Sequence, residues 1–535
     1  MMRKRIFSLA ALLALSMLLA ACGTASIGGV PESRTLSIVS GSENRTLEPI
    51  IQQWASENNY AINIDYSGSV DIARMLRSGA IAYDGVWPAN SLWIAYGDTN
   101  NLVSSDTSIM RSPVVFAIKR STAQRLGWID AEVSMADILE AAESGDVRFM
   151  MTSATQSNSG ASFYFAALSA FAGSPEVISM DDLEDPTVQD EITRILGTVD
   201  RSSGSSGWLK DLFLNTYDLY DGMVNYEAVV IEANLELEQQ GRETLYAIYP
   251  TDGSAIADSP LGFVERDPEK EVIFDELQAF LLSEEAQSQL LAAGRRTGVV
   301  GMQVENADTS VFRPEWGIDV DSTIQSIRFP NSNVIGEALD LYQTTFRRPS
   351  CTAIAVDRSG SMEGNGERNA NEGLRTLLNQ SIAADFLLQG HPEDITTVIL
   401  FNGSVINRDF TNYTVEGNDP GELNNLFQLA ERIDSGGNTN IFGTVEEAHK
   451  WIEQVRTSEC LPSVILMTDG RDNEGSWTRL QNYLQTTEND IPVFVITFGD
   501  ADDSQIDPIV DFTFGRAFDG RNDLVAAFRS AKGYN

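Results

Sequence analysis

Short apolar runs alternate with longer stretches whose apolar residues recur every three or four positions, and this alternation continues along almost the whole chain. TLSIVSGSENRTLEPIIQQWASEN (35–58) reads as strand, polar loop and helix, and AINIDYSGSVDIARMLRSG (61–79) repeats the scheme. DGVWPANSLWIAYG (84–97) brings a third such unit, SPVVFAIKR (112–120) another strand, and VRFMMTSATQSNSGASFYFAALSAF (147–171) a strand running into a long helix. VNYEAVVIEANLELEQQG (224–241) and TLYAIYPTDGSAIADSPLGFV (244–264) follow, and EKEVIFDELQAFLLSEEAQSQLLAAG (269–294) is expected as one amphipathic helix. QVENADTSVFRPEWGIDVDSTIQSIRFP (303–330) is polar and irregular, as a connector would be, and NVIGEALDLYQTTF (333–346) is expected as a short helix bracing what comes after it. Strands alternating with helices predict an α/β protein with parallel sheets.

The second half is more specific. TAIAV (352–356) is a buried strand that ends in DRSGS, Asp357–Ser361, and 366–389 has helical spacing. A carboxylate and two hydroxyls on that turn are hard oxygen ligands for Mg²⁺ or a similar cation. SGGNTNIFGTVEEAHKWIEQV (435–455) places Thr439 in a Gly-rich loop before another helix, and SVILMTDG (463–470) is a strand ending in Asp469. TTVILF (396–401) counts as the second strand, VINRDF (405–410) as its hairpin partner and SVILM as the fourth, as expected for a doubly wound sheet of order 3-2-1-4-5-6. Its first and fourth strands diverge at the switch point, so Asp357 and Asp469 should share one crevice.

This order and spacing, over residues 349–535, closely resembles the metal-ion-dependent adhesion site (MIDAS) of von Willebrand factor A (VWA) domains. The resemblance implies that Asp357, Ser359, Ser361, Thr439 and Asp469 hold Mg²⁺ (or Mn²⁺), directly or through water, and that an Asp or Glu of a protein partner completes the octahedron. Glu363, Asp472 and Glu474 read as a solvated rim rather than as ligands.

Residues 34–300 are similar to type II extracellular solute-binding proteins, a likeness carried by YSGSVDIARML, TSATQSNSGASFY and ADSPLGF. It implies two α/β lobes, 34–113 with 247–300 and 114–246, around a ligand cleft. Ser40, Ser42, Asn44, Ser67, Ser69, Ser157, Ser159 and Gly160 sit where helices begin, a chemistry suited to a small anion or carboxylate, with Arg45 as counter-charge. For any single serine a plain capping role has the better odds. The fold expected overall is a two-lobed periplasmic-binding-protein-like module followed by a doubly wound, Rossmann-like VWA domain.

The first residues set the compartment. Arg3, Lys4 and Arg5 precede an apolar run, Ile6–Ala21, and LAAC (19–22) resembles a bacterial lipobox. The organisation expected is a leader 1–21, a tether 22–33 starting at lipidated Cys22, the lobes 34–300, a connector 301–348 and the VWA domain 349–535. The protein is then a lipid-anchored component of the cell envelope, attached to the membrane by its lipid alone. Removing the three basic leader residues takes the formal charge from −40 to −43, which disfavours nucleic acid as a partner. There are only two histidines, His391 and His449, and neither a Walker loop nor a nucleophile elbow. A binding protein rather than an enzyme is expected. The alternatives left open are a solute-binding component or accessory of an ABC transporter and, as a third class, a metal-dependent hydrolase.

Cys351 and Cys460 each precede a strand that delivers an aspartate. Extended chains would stagger them by about three residues, ~10 Å, but Pro462 favours a bend that brings them together as a disulfide.

Overall fold

The computed structural model describes residues 30–297, 307–320, 324–487, 490–499, 501–521 and 524–533. The expected leader and Cys22 lie outside them. Among the described residues no helix is long and apolar enough to cross a membrane.

The first lobe begins with β1 (Thr35–Ser40), β2 (Ala61–Tyr66), β3 (Gly85–Trp87) and β4 (Val103–Ser108). The chain then crosses to β5 (Ser112–Lys119), β6 (Phe149–Thr152), β7 (Val199–Ser203), β8 (Gly222–Tyr226), β9 (Leu245–Ile248) and β10 (Ile256–Ala257), which form the second lobe. It returns with β11 (Pro260–Val264), inserted antiparallel between β3 and β4, so the first sheet runs β2-β1-β3-β11-β4. The second sheet runs β10-β5-β8-β6-β7, with β9 also on β5. The return crossing therefore falls at Asp258–Ser259 and not between residues 246 and 247, because Leu245–Ile248 pairs with the second lobe's β5.

Side-chain caps explain where helices break. The stretch 269–294 is two helices, Pro268–Leu281 and Glu284–Ala292, because Ser283 caps the second by accepting from the Ala286 amide. Likewise 366–389 splits into Asn365–Leu378 and Gln380–Asp385, with Asn379 Oδ1 accepting from Ile382 N.

The connector is part of the fold. Phe312, Trp316 and Ile318 are buried in the second lobe's core. The helix Ser332–Leu341 and the wider turn Tyr342–Phe346 bury Val334, Leu339, Tyr342 and Phe346 in the cluster that holds Phe163 and Tyr164, and Tyr164 Oη donates to Ala338 O at 2.8 Å. The segment packs on the second lobe and also touches the domain that follows it, where Gln343 Nε2 donates to Gln389 O at 2.8 Å and Gln389 Nε2 donates to Asp340 Oδ1 at 3.3 Å.

That domain is one sheet of β12 (Ser350–Asp357), β13 (Ile395–Phe401), β14 (Thr414–Glu416), β15 (Leu461–Thr468), β16 (Val493–Thr497) and β17 (Arg516–Asp519), in the order β14-β13-β12-β15-β16-β17. All pairs are parallel except β13–β14. Central strands buried on both sides read as unbroken apolar runs. Ile354, Val356, Leu400 and Met467 pack against Leu374, Leu377 and Phe528 on one face, while Ala355, Ile399, Leu466 and Val495 meet Val445, Ala448 and Leu480 on the other. The hairpin partner of β13 is Thr414–Glu416, not 405–410, which contributes one bridge, Phe401 to Val405. Asn407 takes the place of a ladder there: its side chain accepts from Leu400 N at 2.7 Å and donates to Val398 O at 2.8 Å.

Cys351 and Cys460 are joined by a disulfide with Cα atoms 5.6 Å apart. Cys351 lies opposite Pro462 in the register, and Leu461 N donates to Pro349 O, so the strand entrance carries Cys460 back to its partner.

Candidate metal centre and interlobe cleft

β12 and β15 are hydrogen-bonded neighbours, and their carboxyl ends open onto the same edge of the sheet. Asp357, fully buried at the end of β12, accepts from Ser359 N at 2.8 Å through Oδ1 and from Thr468 Oγ1 at 2.6 Å through Oδ2. Ser359 Oγ and Ser361 Oγ are 3.1 Å apart, and Ser361 Oγ donates to Asp469 Oδ1 at 2.9 Å. Thr439 closes the group. A β-carbon on Gly470 would stand 3.2 Å from Ser361 Oγ and 3.4 Å from Thr439 Oγ1, so the glycine leaves a cradle that both hydroxyls line. The five residues expected at the metal thus stand around one crevice.

The loops that carry them are tied together. Gly360 N donates to Gly437 O at 3.0 Å, with Gly437 at φ +90°, a conformation that favours glycine. Thr439 N donates to Asn473 Oδ1 and Asn473 N returns to Thr439 O, both at 3.0 Å. Asn402 adds a bond from Nδ2 to Gly436 O at 2.9 Å. Asp472 Oδ2 accepts from Phe442 N and Oδ1 from Gly475 N, so this acid shapes the loop. Asn402 and Asn473 carry no ligand signature in the sequence and emerge only from the loop contacts.

Burial raises the pKa of Asp357, helped by the nearby Asp469 charge, and burial likewise raises that of Asp469. Neither carboxylate makes an ion pair among the described residues, and a pair of uncompensated carboxylates calls for a cation. No group of three or more His, Cys, Asp or Glu side chains gathers among the described residues, so a metal here depends on the hydroxyls as well. The donors are all oxygen, which suits Mg²⁺ or Mn²⁺ and not zinc.

The cleft is shut. Ser42 Oγ accepts from Ser205 Oγ at 2.7 Å and from Gly207 N at 3.1 Å, and Val70 N donates to Gln156 O, all across the lobes. Trp93 Nε1 reaches Asn158 Oδ1 at 2.7 Å. Ser69 Oγ accepts from Ala89 N within its own lobe. Ser157 and Ser159 both bond to Ser206 Oγ, at 3.0 and 2.8 Å, and Gly160 N donates to Thr152 Oγ1. Asn44 Nδ2 donates to Ser40 Oγ, and Ser67 N to Ser40 O. Arg45 is exposed, its guanidinium 5.1 Å above the Tyr66 ring, so it does not face the cavity as a counter-charge.

What remains between the lobes is a cavity of about 20 Å³ beside Glu43, Asn44, Tyr226, Ser259 and Arg295, space for little more than one water. Glu43 Oε1 and Asn44 Oδ1 are buried without partners, and burial lifts the Glu43 carboxyl to about 7. Glu43 is a cleft residue that the helix-mouth pattern does not point to.

The VWA-like sheet domain reaches the lobes through its helix Leu524–Gly533. Arg529 Nε bonds Asp71 Oδ1 of the first lobe at 2.6 Å, and Nη2 bonds Thr155 O of the second at 2.7 Å.

Comparison with known families agrees with this architecture. Residues 36–296 match the bacterial extracellular solute-binding protein family and residues 352–471 the von Willebrand factor type A domain. The chain joins a solute-binding domain to a VWA domain. Similar solved structures include a periplasmic thiamin binding protein (9% identity, TM-score 0.44, covering 58% of this chain and 93% of that one). Iron-bound HitA from Pseudomonas aeruginosa (14%, 0.42, 58% and 98%) and the ferric binding protein from Campylobacter jejuni (13%, 0.40, 57% and 98%) are also similar. No curated protein matches the chain.

Proposed function

We propose that this chain is an extracytoplasmic binding protein whose VWA domain captures an acidic side chain of a protein partner through Mg²⁺ or Mn²⁺. The observation that supports this most is the convergence of Asp357, Ser359, Ser361, Thr439 and Asp469 around the Gly470 cradle, with no cationic side chain paired to either carboxylate among the described residues. A cation held by these five residues would attract and bind a carboxylate of the partner. The two serines and Thr439 are neutral, so the site leaves the cation part of its charge and favours Asp or Glu over a neutral group. The solute-binding domain gives the protein a second, small-molecule ligand. Its solute reaches the cleft only when the Ser42–Ser205 and Val70–Gln156 contacts part. Cys22 is assigned as the lipid attachment that holds the protein at the membrane surface.

Calorimetric titration of Mg²⁺ into the full chain tests the metal reading. One site is expected in the wild type and none in Asp357→Ala or Ser361→Ala. Equal affinity in all three proteins overturns it.

A further inference from the structure

A basic cavity opens where the second lobe meets the VWA domain, beside the disulfide. Its wall carries Arg148, Arg201, Arg348 and Arg456 against two carboxylates, Asp200 and Asp490, around a volume of about 410 Å³. Four positive groups gather there in a chain whose formal charge is −40. Three of the guanidinium groups are held in place. Arg148 Nε bonds Asp200 at 3.0 Å, Arg348 donates to the carbonyls of Val199, Ser458 and Glu459, and Arg456 bonds Asp490 at 2.8 Å. Asp200 is shared, since Arg348 also lies 3.5 Å from it.

Arg201 is different. It is 7% exposed, its Nη2 donates to Phe514 O of the VWA domain at 2.9 Å, and its Nε is buried without a partner. It makes no ion pair among the described residues. An arginine does not escape burial by losing its proton, because its intrinsic pKa is too high. A buried guanidinium without a counter-ion is therefore an unbalanced charge, which proteins normally pair.

We propose that this interdomain cavity binds a small phosphate-type oxyanion. The four guanidinium groups outnumber the carboxylates that pair with them, Asp200, Asp490 and Glu453, so the wall is net positive towards an anion, and planar N–H forks suit the tetrahedral oxygens of a phosphate. Thr457 and Ser458 stand on the same wall and offer further donors. The walls come from two domains, so the anion fastens the second lobe to the VWA domain. The cavity is separate from the interlobe cleft and from the metal centre.

Titration of inorganic phosphate into the full chain at low ionic strength tests the assignment. One site is expected, with affinity reduced about tenfold or more in Arg456→Gln, as for loss of a charge-assisted hydrogen bond, and abolished in Arg201→Gln. Arg456 is partly exposed, and its variant is expected to melt like the wild type without phosphate, which separates binding from folding. Glycerol 3-phosphate in a parallel titration shows whether the free ion or a phosphomonoester is preferred, and binding of either supports the site. No heat beyond that of sodium chloride at equal ionic strength overturns the proposal. Binding that survives both arginine substitutions but is lost in Ser42→Ala also overturns it, by placing the anion in the cleft.

Discussion

Arg529 and Asp71, 458 positions apart in the chain, form a bridge of 2.6 Å between the last described helix of the VWA domain and the first lobe. The same guanidinium holds Thr155 O of the second lobe, so one side chain spans both halves of the solute-binding domain. Its other contact on the VWA side is Phe386 O. A neighbouring contact, Arg74 over the Phe386 ring at 4.7 Å, adds to the attachment of the first lobe. The second lobe is tied to the VWA side at further points: Arg201 Nη2 bonds Phe514 O, Ser202 Oγ bonds Gly533 O, and Arg348 bonds both Val199 O and Ser458 O. On these contacts, an opening of the cleft is expected to move the first lobe away from the second lobe and the VWA domain.

Asp71→Asn removes the charge that faces an almost fully buried arginine. Breaking one partner of such a pair is expected to cost about 3 kcal/mol, and the variant should spend more time open. Thermal unfolding reads the first effect and the radius of gyration from X-ray scattering the second. A melting temperature and a radius both equal to the wild type's contradict the latch.

The disulfide yields a second expectation. Cys351 and Cys460 close a loop with a sequence separation of 109, for which chain entropy allows up to ~4.7 kcal/mol of stabilisation. Reduction should lower the melting temperature, and alkylation of the unfolded, unreduced protein should modify neither residue. Two labelled thiols by mass spectrometry would show that the bridge is absent.

The VWA sheet was legible because buried parallel strands are short apolar runs and each is followed by a helix with its own period. That the five candidate residues share one crevice was legible because Asp357, Ser359 and Ser361 follow the end of β12 and Asp469 follows the end of β15, while Thr439 stands just before the helix Ile441–Val455. VINRDF misled because its pattern suits a strand, whereas the side chain of Asn407 satisfies Val398 O and Leu400 N and leaves no ladder to extend. The broken helices escaped notice for a related reason, since Ser283 and Asn379 each resemble an ordinary polar position until their oxygens cap the next helix. The cleft was the least legible part. Ser42 meets Ser205 across 163 positions, and no periodicity near either residue reports that contact.

Glu43 makes the closed cleft sensitive to pH. Burial raises its carboxyl from 4.5 to about 7, so the folded chain keeps a proton that the unfolded chain releases across that window. The associated stability is present below about pH 4.5 and is lost as pH rises through 7. The full swing is about 3 kcal/mol. Urea unfolding at pH 5 and pH 8 should show the wild type losing more stability than Glu43→Gln between the two. Parallel losses in both proteins would mean that Glu43 does not carry the effect.

Gly470 gives the sharpest test of the metal centre, because it is not itself a ligand. Its backbone is not in the left-handed region, so alanine meets no conformational penalty there. Its N–H donates to Thr468 Oγ1, a bond that alanine retains. The added methyl would lie 3.2 Å from Ser361 Oγ and 3.4 Å from Thr439 Oγ1, close enough to push the two hydroxyls apart. Gly470→Ala should therefore fold with nearly wild-type stability yet bind Mg²⁺ about tenfold to a hundredfold more weakly, the range seen when the surroundings of a metal's ligands are disturbed. Thermal unfolding without metal and Mg²⁺ calorimetry measure the two quantities separately. Unchanged Mg²⁺ affinity in this variant would remove Ser361 and Thr439 from the ligand set.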